Sequence, residues 1–360
     1  KTGQTILLPS ADGPMNVLVG IGEVAALDAD KLRDAGAAFA RATQQHGVLT
    51  LTLGESGPLA SDVAGQVVVE GALLARYRYD ALKKEPTVAP ITELTLIVDG
   101  RRSAAVRRGA ARGVITAEAT NLARDLANTP PALLTAVRMA EVAEKLGKER
   151  GLQVEVFDKK ALIDLGCGGL LGVNAGSDEE PRMIKLTYQP ERSRGRLTLV
   201  GKGIMYDAGG IALKPADEVH ATMKNDMSGA GAILAAMLEL QGVGCKTAVI
   251  GYLMCTDNRP SDKSIAMGDI LTVRGGKTVE VMNTDAEGRL VMADALVLAT
   301  EEPTDAIVDM ATLTGAAMRA LGTQVSGLVG NNASIVEQIE AAAVATGESV
   351  WELPLERRYR

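Results

Sequence analysis

The amino-acid sequence predicts an α/β protein built from two α/β domains. Its 360 residues exceed the length that one hydrophobic core usually spans. Short β-rich runs alternate with Ala-rich helical stretches, which is typical of a mostly parallel sheet covered by helices. Apolar residues make up 46% of the chain and aromatic residues only 2%, so aliphatic side chains must fill the layers.

The first part of the chain, residues 1–103, predicts the smaller domain. Its β-rich runs lie at residues 5–8, 16–19, 48–53 and 94–98. Its helical stretches lie at residues 31–43 and 60–77. The alternation of the two element types indicates an α/β lobe.

A single helix is predicted at residues 104–127, where it would link the two domains. Apolar side chains lie on one stripe of this pattern, at Ile115, Ala119, Leu122 and Leu126. The helix is expected to end before Pro130 and Pro131, because proline lacks the backbone N–H that a helix interior needs.

Residues 128–360 predict the second domain, a mostly parallel sheet between two layers of helices. Its strands are expected at residues 154–157, 184–188, 197–200, 246–253 and 306–310. Its helices are expected at residues 135–150 and 229–241, and after Glu287 and Asn332. Ligands of such sheets bind beyond the carboxyl ends of the strands, so the loops there are candidate sites.

Charge and composition argue against two classes of partner. The net charge of −7 disfavours nucleic acid, whose binding depends on clustered Lys and Arg. No apolar run is long enough to span a membrane.

Three scattered cysteines suit a reducing compartment, so we expect a cytoplasmic protein. The basic cluster is expected to be a solvated helix face; it comprises Arg101, Arg102, Arg107, Arg108 and Arg112.

Two segments carry the polar residues that point to chemistry. The first, GKGIMYDAGG at residues 201–210, follows a predicted strand and continues to Lys214 and Asp226. Its glycines permit close backbone approach to a ligand. A phosphate-binding loop is excluded, because the GxxxxGK[ST] spacing is missing and no G-x-G-x-x-G opens a helix. The second segment, NTDAEGRL at residues 283–290, opens a predicted helix.

Four acidic residues in these segments predict a metal site. Asp207, Asp226, Asp285 and Glu287 would gather carboxylates around a pocket that only cations make tolerable. Oxygen ligands suit Mg²⁺, Mn²⁺ or Zn²⁺, and two such ions can share carboxylates at about 3.5–4 Å from each other.

Each of these residues also has an ordinary structural explanation. Asp226 could cap a helix, and Asp285 and Glu287 could complement a helix dipole. Lys202 and Lys214 could be solvated, and Arg289 could pair with Glu287. These explanations account for the residues one by one but not for their clustering.

At the level of motifs the sequence resembles the leucyl aminopeptidase, or cytosol aminopeptidase, family. The shared patterns are VGKG-I-x-x-D-x-GG-I-x-L-K-P, M-K-x-D-M-x-GA, the family octapeptide NTDAEGRL, and D-x-ATLTGA at residues 309–316. They occur in the family's order over residues 122–330. The resemblance implies a zinc-exopeptidase-like catalytic domain and a smaller macro-like N-terminal domain. Family members continue past Arg360, so the catalytic domain is expected to be incomplete at its C-terminus.

The resemblance implies which side chains bind two divalent ions, Mn²⁺ or Zn²⁺ and possibly Mg²⁺. One ion would be held by Lys202, Asp207, Asp226 and Glu287, and the other by Asp207, Asp285 and Glu287. A hydroxide bridging the two ions would then hydrolyse peptides after an N-terminal leucine or other apolar residue. Lys202 would have to lose its proton to coordinate, which neighbouring divalent charge favours.

The resemblance also implies the remaining site residues and the assembly. Lys214 would stabilise the oxyanion. Arg289 would hold a bicarbonate ion that acts as general base. The substrate-binding residues would be Met223, Asn283, Thr312, Leu313 and Gly315. A homohexamer is expected. One alternative that stays open is an inactive scaffold that uses the same residues to bind metal structurally. Another, DNA binding by a family-like hexamer, is disfavoured by the acidic net charge.

Overall fold

The computed structural model describes residues 1–8, 10 and 13–359. The strands, in chain order, are β1 (Thr5–Leu8), β2 (Asn16–Val19), β3 (Val48–Thr52), β4 (Glu93–Ile97), β5 (Gln153–Phe157), β6 (Arg182–Tyr188), β7 (Arg196–Asp207), β8 (Ala248–Asn258), β9 (Ile270–Thr272), β10 (Thr278–Glu280), β11 (Ala306–Met310), β12 (Ser326–Leu328) and β13 (Val350–Glu352).

The helices alternate with these strands. In chain order they are α1 (Ala29–Ala42), α2 (Ser61–Ala75), α3 (Ser103–Asn128), α4 (Ala136–Glu149), α5 (Lys159–Asp164), α6 (Gly168–Asn174), α7 (Glu218–Ala221), α8 (Ser228–Leu238), α9 (Glu287–Glu301), α10 (Gly315–Leu321) and α11 (Ala333–Thr346). Two short 3₁₀ helices matter for the site, Met223–Asn225 and Thr284–Ala286.

The chain divides into two compact units, residues 1–118 with 314–360 and residues 119–313. The second unit contains a five-stranded sheet in the order β11-β7-β8-β6-β5. β11, β7 and β8 are parallel, and β6 pairs antiparallel with both β8 and β5. Only β6 therefore runs against the other four strands of this sheet. The predicted mostly parallel sheet is confirmed.

Helices cover both faces of this sheet. On one face, α4 and α8 pack against alternate side chains of β6 and β8 such as Ile184 and Leu253. On the other, α6 and α9 pack against Val200, Ile204 and Met254. β8 is buried along its whole length, because both of its faces are covered. The apolar run predicted as a strand at residues 246–253 identified the first part of β8, but the strand continues through Thr256 and Asp257 to Asn258.

The strand β7 is longer than the sequence predicts. A strand end at residue 200 followed by a glycine-rich loop is wrong, since β7 continues to Asp207. Its glycines serve packing, because a Cβ at Gly201 would lie 2.7 Å from the Cα of Ala230 in α8. Gly201 therefore permits the close approach of a helix, whereas a Cβ at Gly203 would meet the neighbouring strand β8, at 2.7 Å from the carbonyl oxygen of Met254.

The first unit is built from small sheets and the helices that pack on them. β1 and β2 are antiparallel, and β3 with β4 and β12 with β13 form parallel pairs. Its core includes Leu32 of α1, Val67 of α2 and Val106 of α3. The predicted elements of residues 1–103 are present with ends shifted by a residue or two. The predicted domain boundaries stay predictions.

The cysteines lie in the interior or near it. Cys167 and Cys255 are buried, Cys245 is half-buried, and all three are free thiols. Burial raises the pKa of both Cys167 and Cys255 to about 12, so these thiols stay protonated and unreactive. Over the described part of the chain, no helix is both long and apolar enough to cross a membrane.

Gly229 in α8 lies too close to β11 to accept a side chain. A Cβ there would lie 2.1 Å from the carbonyl oxygen of Met310 in β11. We expect Gly229→Ala to lower the free energy of unfolding by about 1–3 kcal/mol, the usual cost of overpacking. Urea denaturation measures this loss. Gly54→Ala is the control, since a Cβ at Gly54 meets nothing within 4 Å; equal stability of the two variants would contradict the prediction.

Candidate metal centre

The candidate site lies at the carboxyl ends of β7 and β8. β7 ends at Asp207 and β8 at Asn258. Between the pairs Ile204–Thr256 and Asp207–Asn258, β7 advances three residues while β8 advances two, so the register shifts. An extra residue of this kind re-aims side chains at the end of a strand pair. It places Asp207 directly opposite Asn258.

A tight loop after β7 returns Lys214 to Asp207. Gly209 and Gly210 have φ values of +88° and +65°, a region that favours glycine. The Lys214 amide then donates to the carbonyl oxygen of Ala208 at 3.0 Å. The Lys214 ammonium lies 2.8 Å from Asp207 Oδ2 and 2.5 Å from Asp285 Oδ1.

A second lysine, Lys202, lies in the interior between two other carboxylates. Its Nζ is 2.9 Å from Asp226 Oδ2 and 2.8 Å from Glu287 Oε1. The residue is only 2% exposed. Gly288 makes room for it, because a Cβ there would lie 2.8 Å from Lys202 Nζ. Each ammonium therefore pairs with two carboxylates.

The octapeptide segment is fixed by its own polar side chains. The Asn283 side chain accepts a hydrogen bond from the Asp285 amide at 2.9 Å. Thr284 Oγ1 donates to the Gly209 carbonyl at 2.7 Å and accepts from the Ala212 amide at 2.8 Å. These bonds join the 3₁₀ helix Thr284–Ala286 to the loop after β7. They hold Asp285 next to Asp207.

The structure brings the predicted acidic residues together in two linked groups. Carboxylate oxygens of Asp207, Asp285 and Glu287 lie within 4.8 Å of one another. Asp226 joins them through Lys202. Asp226 does not cap α8, whose N-cap is Met227 without a side-chain hydrogen bond.

The donor set fits divalent cations. Four carboxylates face two ammonium groups, so full ionisation would leave excess negative charge in a largely buried cluster. Asp226 Oδ2 and Asp285 Oδ1 are buried oxygens whose charge is balanced by the ammonium groups of Lys202 and Lys214. Hard oxygen donors held in this way suit Mg²⁺, Mn²⁺ or Zn²⁺.

Burial changes the proton affinity of this cluster. It raises the pKa of Asp226 to about 7, although the Lys202 charge acts in the opposite direction. Burial likewise raises the pKa of Glu287. Burial alone would lower the pKa of Lys202, but the carboxylates of Asp226 and Glu287 raise it overall. Without a metal, Lys202 is therefore an ammonium group.

The other predicted residues lie as follows. Met223 is half-buried in the 3₁₀ helix Met223–Asn225, and Leu313 is 42% exposed. Gly315 begins α10 in the first unit. The exposed Arg289 forms no ion pair with the described residues, so the alternative that it pairs with Glu287 is wrong.

Sequence reasoning did not single out two contributors to the cluster, Asn258 and Gly288, and it gave a third, Thr312, only a substrate-binding role, which stays a prediction. Asn258 donates to Asp207 Oδ1 at 2.8 Å, and Gly288 opens the space for Lys202. Thr312 was predicted for the substrate, yet its hydroxyl donates to Asp226 Oδ1 at 2.7 Å and its carbonyl accepts from Lys202 at 3.1 Å. The polar triplet Thr-Asp-Asn at the end of a buried strand could have indicated Asn258.

The shifted pKa of Asp226 predicts a pH dependence of stability. Between the ordinary pKa of 3.8 and about 7, the folded chain binds more protons than the unfolded chain. We therefore expect the free energy of unfolding, measured in urea with a chelator present, to lose this contribution as the pH rises from about 4 to about 7. Asp226→Asn should remove that part of the decline. The control Asp262→Asn, at an exposed position, should show the same decline as wild type. Identical pH profiles for wild type and Asp226→Asn would contradict the prediction.

Comparison with known proteins agrees with this geometry. The family model for the cytosol aminopeptidase catalytic domain matches residues 121–360, and that for the family's N-terminal domain matches residues 1–86. A probable cytosol aminopeptidase of Streptomyces avermitilis is 42% identical, covering 99% of this chain and 72% of that protein. One of Chlorobaculum tepidum is also 42% identical, covering 95% and 71%.

A solved structure extends the similarity to three dimensions. The bottromycin maturation enzyme BotP, in complex with Mn, matches with a TM-score of 0.92 and 38% identity. The match covers 100% of this chain and 77% of that chain. Fold, motifs and relatives agree, and the chain belongs to the cytosol aminopeptidase family of metal-dependent aminopeptidases.

Proposed function

We propose that this aminopeptidase removes leucine and other apolar residues from the N-termini of peptides, using two divalent ions held by the carboxylate–lysine cluster. The observation that carries the proposal is the convergence of Asp207, Asp285 and Glu287 within 4.8 Å. Asp226 and Lys202 extend that cluster on its buried side. Such a set of donors has no role in packing an apolar core.

The two ions would share the bridging carboxylates. Lys202, Asp207, Asp226 and Glu287 would hold one ion, and Asp207, Asp285 and Glu287 the other. When bound, such ions polarise a carbonyl group and lower the pKa of a water molecule. Mn²⁺ is supported by the Mn complex of BotP, and Zn²⁺ and Mg²⁺ by the ligand types.

Two cationic side chains are proposed to act on the substrate side. Lys214 is partly accessible, with a side chain 17% exposed, and would stabilise the oxyanion of the reaction. Arg289 has an exposed guanidinium and would hold bicarbonate as general base. The imidazole of His220 contacts the Tyr206 hydroxyl, with its Nε2 at 3.1 Å.

Apolar side chains near the cluster support a preference for leucine. Met223 and Leu313 would line the pocket, with Asn283 and Thr312. Gly315 is proposed as a substrate-binding residue on the family resemblance alone. Ile211 and Leu213 are exposed in the loop that carries Lys214. Exposed aliphatic side chains beside a polar cluster provide apolar surface that a leucine side chain can bury.

We also propose a cytoplasmic location and a homohexameric assembly. Free thiols support a cytoplasmic location. The acidic net charge of −7 supports peptides, and not nucleic acid, as partners. The homohexamer and the bicarbonate ion rest on the family resemblance.

Activity should depend on metal and on Asp285. We expect hydrolysis of leucyl p-nitroanilide with Mn²⁺ or Zn²⁺ and loss of hydrolysis with a chelator. Asp285→Ala should lower kcat/KM by more than about 100-fold, the upper range for residues that only support metal ligands. Asp262→Ala, an exposed change, should retain wild-type kcat/KM. Two bound ions without turnover would instead favour the inactive scaffold.

Substrate preference is tested with a series of aminoacyl anilides. An apolar pocket should give leucyl p-nitroanilide a kcat/KM more than about 10-fold above that of the alanyl substrate, since each buried methylene contributes to discrimination. Anilides of aspartate and glutamate should be cleaved more slowly still, because their side-chain carboxylate would lose its hydration in the pocket. Equal kcat/KM values across the series would refute the leucine preference while leaving the aminopeptidase activity intact.

A further inference from the structure

Asn258 lies against the two carboxylates that the proposed ions would share. Its side-chain amide nitrogen is 2.8 Å from Asp207 Oδ1 and 3.5 Å from Glu287 Oε2. The same nitrogen donates to the Thr284 carbonyl oxygen at 3.0 Å. All three neighbours are acceptors, so only the NH₂ end of the amide can face them. Asn258 is 2% exposed, and water cannot easily replace these bonds.

The fold places Asn258 there by the register shift at the end of β8. Asp207 pairs with Asn258 across the two strands. The Asn258 carbonyl accepts from the Ala208 amide at 3.0 Å, which continues the pairing past the end of β7. A Cβ at Gly210 would lie 2.9 Å from Asn258 Oδ1, so the neighbouring glycine leaves room for this side chain.

The contacts of Asn258 divide each carboxylate into two differently used oxygens. Asp207 Oδ1 accepts from Asn258 and from the Gly209 amide at 2.9 Å, whereas Oδ2 faces the Lys214 ammonium. In Glu287, Oε2 faces Asn258 and Oε1 faces the Lys202 ammonium. One oxygen of Asp207 is therefore held by two neutral donors, and that of Glu287 has a longer contact with the same amide, while the other oxygen of each carboxylate is presented to a cation.

We infer that Asn258 is a positioning residue that orients Asp207 and Glu287 so that both present an oxygen to the metal ions. This inference rests on the proposed metal centre. Partners of metal ligands fix ligand orientation, and their loss typically weakens metal binding about 10–100-fold. A neutral amide suits this role, because it donates hydrogen bonds without adding charge to a cluster that must attract cations.

A purely structural role for Asn258 would give a different result. Its bond to the Thr284 carbonyl connects β8 to the octapeptide segment and contributes to stability. Loss of that bond alone would lower the stability of the folded chain and leave the intrinsic metal affinity unchanged. Metal affinity of the folded protein therefore separates orientation of the carboxylates from support of the segment.

The test compares Asn258→Ala and the shape-matched Asn258→Leu with wild type. Mn²⁺ dissociation constants are measured by calorimetry on chelator-treated, dialysed protein whose folding is verified by circular dichroism. The control is Asn174, a 1% exposed asparagine whose amide donates to the Glu179 carbonyl and to Thr256 Oγ1. Asn174→Ala also removes a buried amide, but it touches none of the proposed ligands. Asp285→Ala reports on the metal centre itself.

We expect Mn²⁺ dissociation constants to rise about 10–100-fold in the Asn258 variants and to stay within about threefold of wild type in Asn174→Ala. Wild-type affinity in either folded Asn258 variant overturns the inference, because the substitution then leaves the ligands correctly placed. If the proposed metal centre itself is wrong, Asp285→Ala will bind Mn²⁺ as tightly as wild type. If Asn258→Ala does not fold, Asn258→Leu decides the question, since leucine fills the amide's volume without donating a hydrogen bond.

Discussion

Burial of the Asp207, Asp226 and Glu287 carboxylates at one end of a sheet, beside the half-buried Asp285, is the constraint on which this structure depends. An unpaired carboxylate is costly to bury, so each negative charge needs a cation or a proton. Lys202 and Lys214 supply part of the compensation, each between two carboxylates. The raised pKa values of Asp226 and Glu287 show that the compensation by lysine is incomplete. Divalent cations are suited to balance the negative charge that the two lysines leave uncompensated.

The fold supports this cluster by bringing backbone segments unusually close. Gly201 lets α8 approach β7, and Gly288 lets α9 begin directly beside Lys202. The register shift between β7 and β8 then sets Asp207 opposite Asn258. Apolar layers on both sides of the sheet hold these strands in place, and neutral groups such as Thr312 supply the hydrogen bonds that orient the charges. Packing and electrostatics are therefore coupled at the same few positions.

The sequence predicted the elements and the charged residues well, for physical reasons. The predicted bounds of β11 are those observed, although its residues are half-buried or exposed. The first part of the buried strand β8 is a continuous apolar run, which made it recognisable. Acidic residues that recur within short motifs are hard to explain by packing alone, so Asp207 and Glu287 were recognisable. The glycines after Val200 were ambiguous, because the absence of a Cβ suits both a ligand-binding loop and the close packing of a strand. The extension of β7 to Asp207 was therefore not predicted.

Neutral residues of the cluster were harder to predict because their roles exist only in three dimensions. Asn258 lies 51 residues from Asp207, and Thr312 lies 86 residues from Asp226. Nothing in local spacing pairs them, and each residue type is common in ordinary loops. Register shifts also leave no clear pattern in one sequence. The partners that orient a metal ligand are therefore the part of such a site for which a structure is needed most.

The two lysines differ in a way that follows from their surroundings. The side chain of Lys202 is 3% exposed and is enclosed by Asp226, Glu287 and the Thr312 carbonyl. That of Lys214 is 17% exposed and lies on a loop that turns at two glycines. The two ion pairs of Lys202 are therefore shielded from water, which strengthens them, whereas those of Lys214 are partly screened by solvent. Compensation by lysine is thus firmer on the buried side of the cluster than on the side that the loop forms.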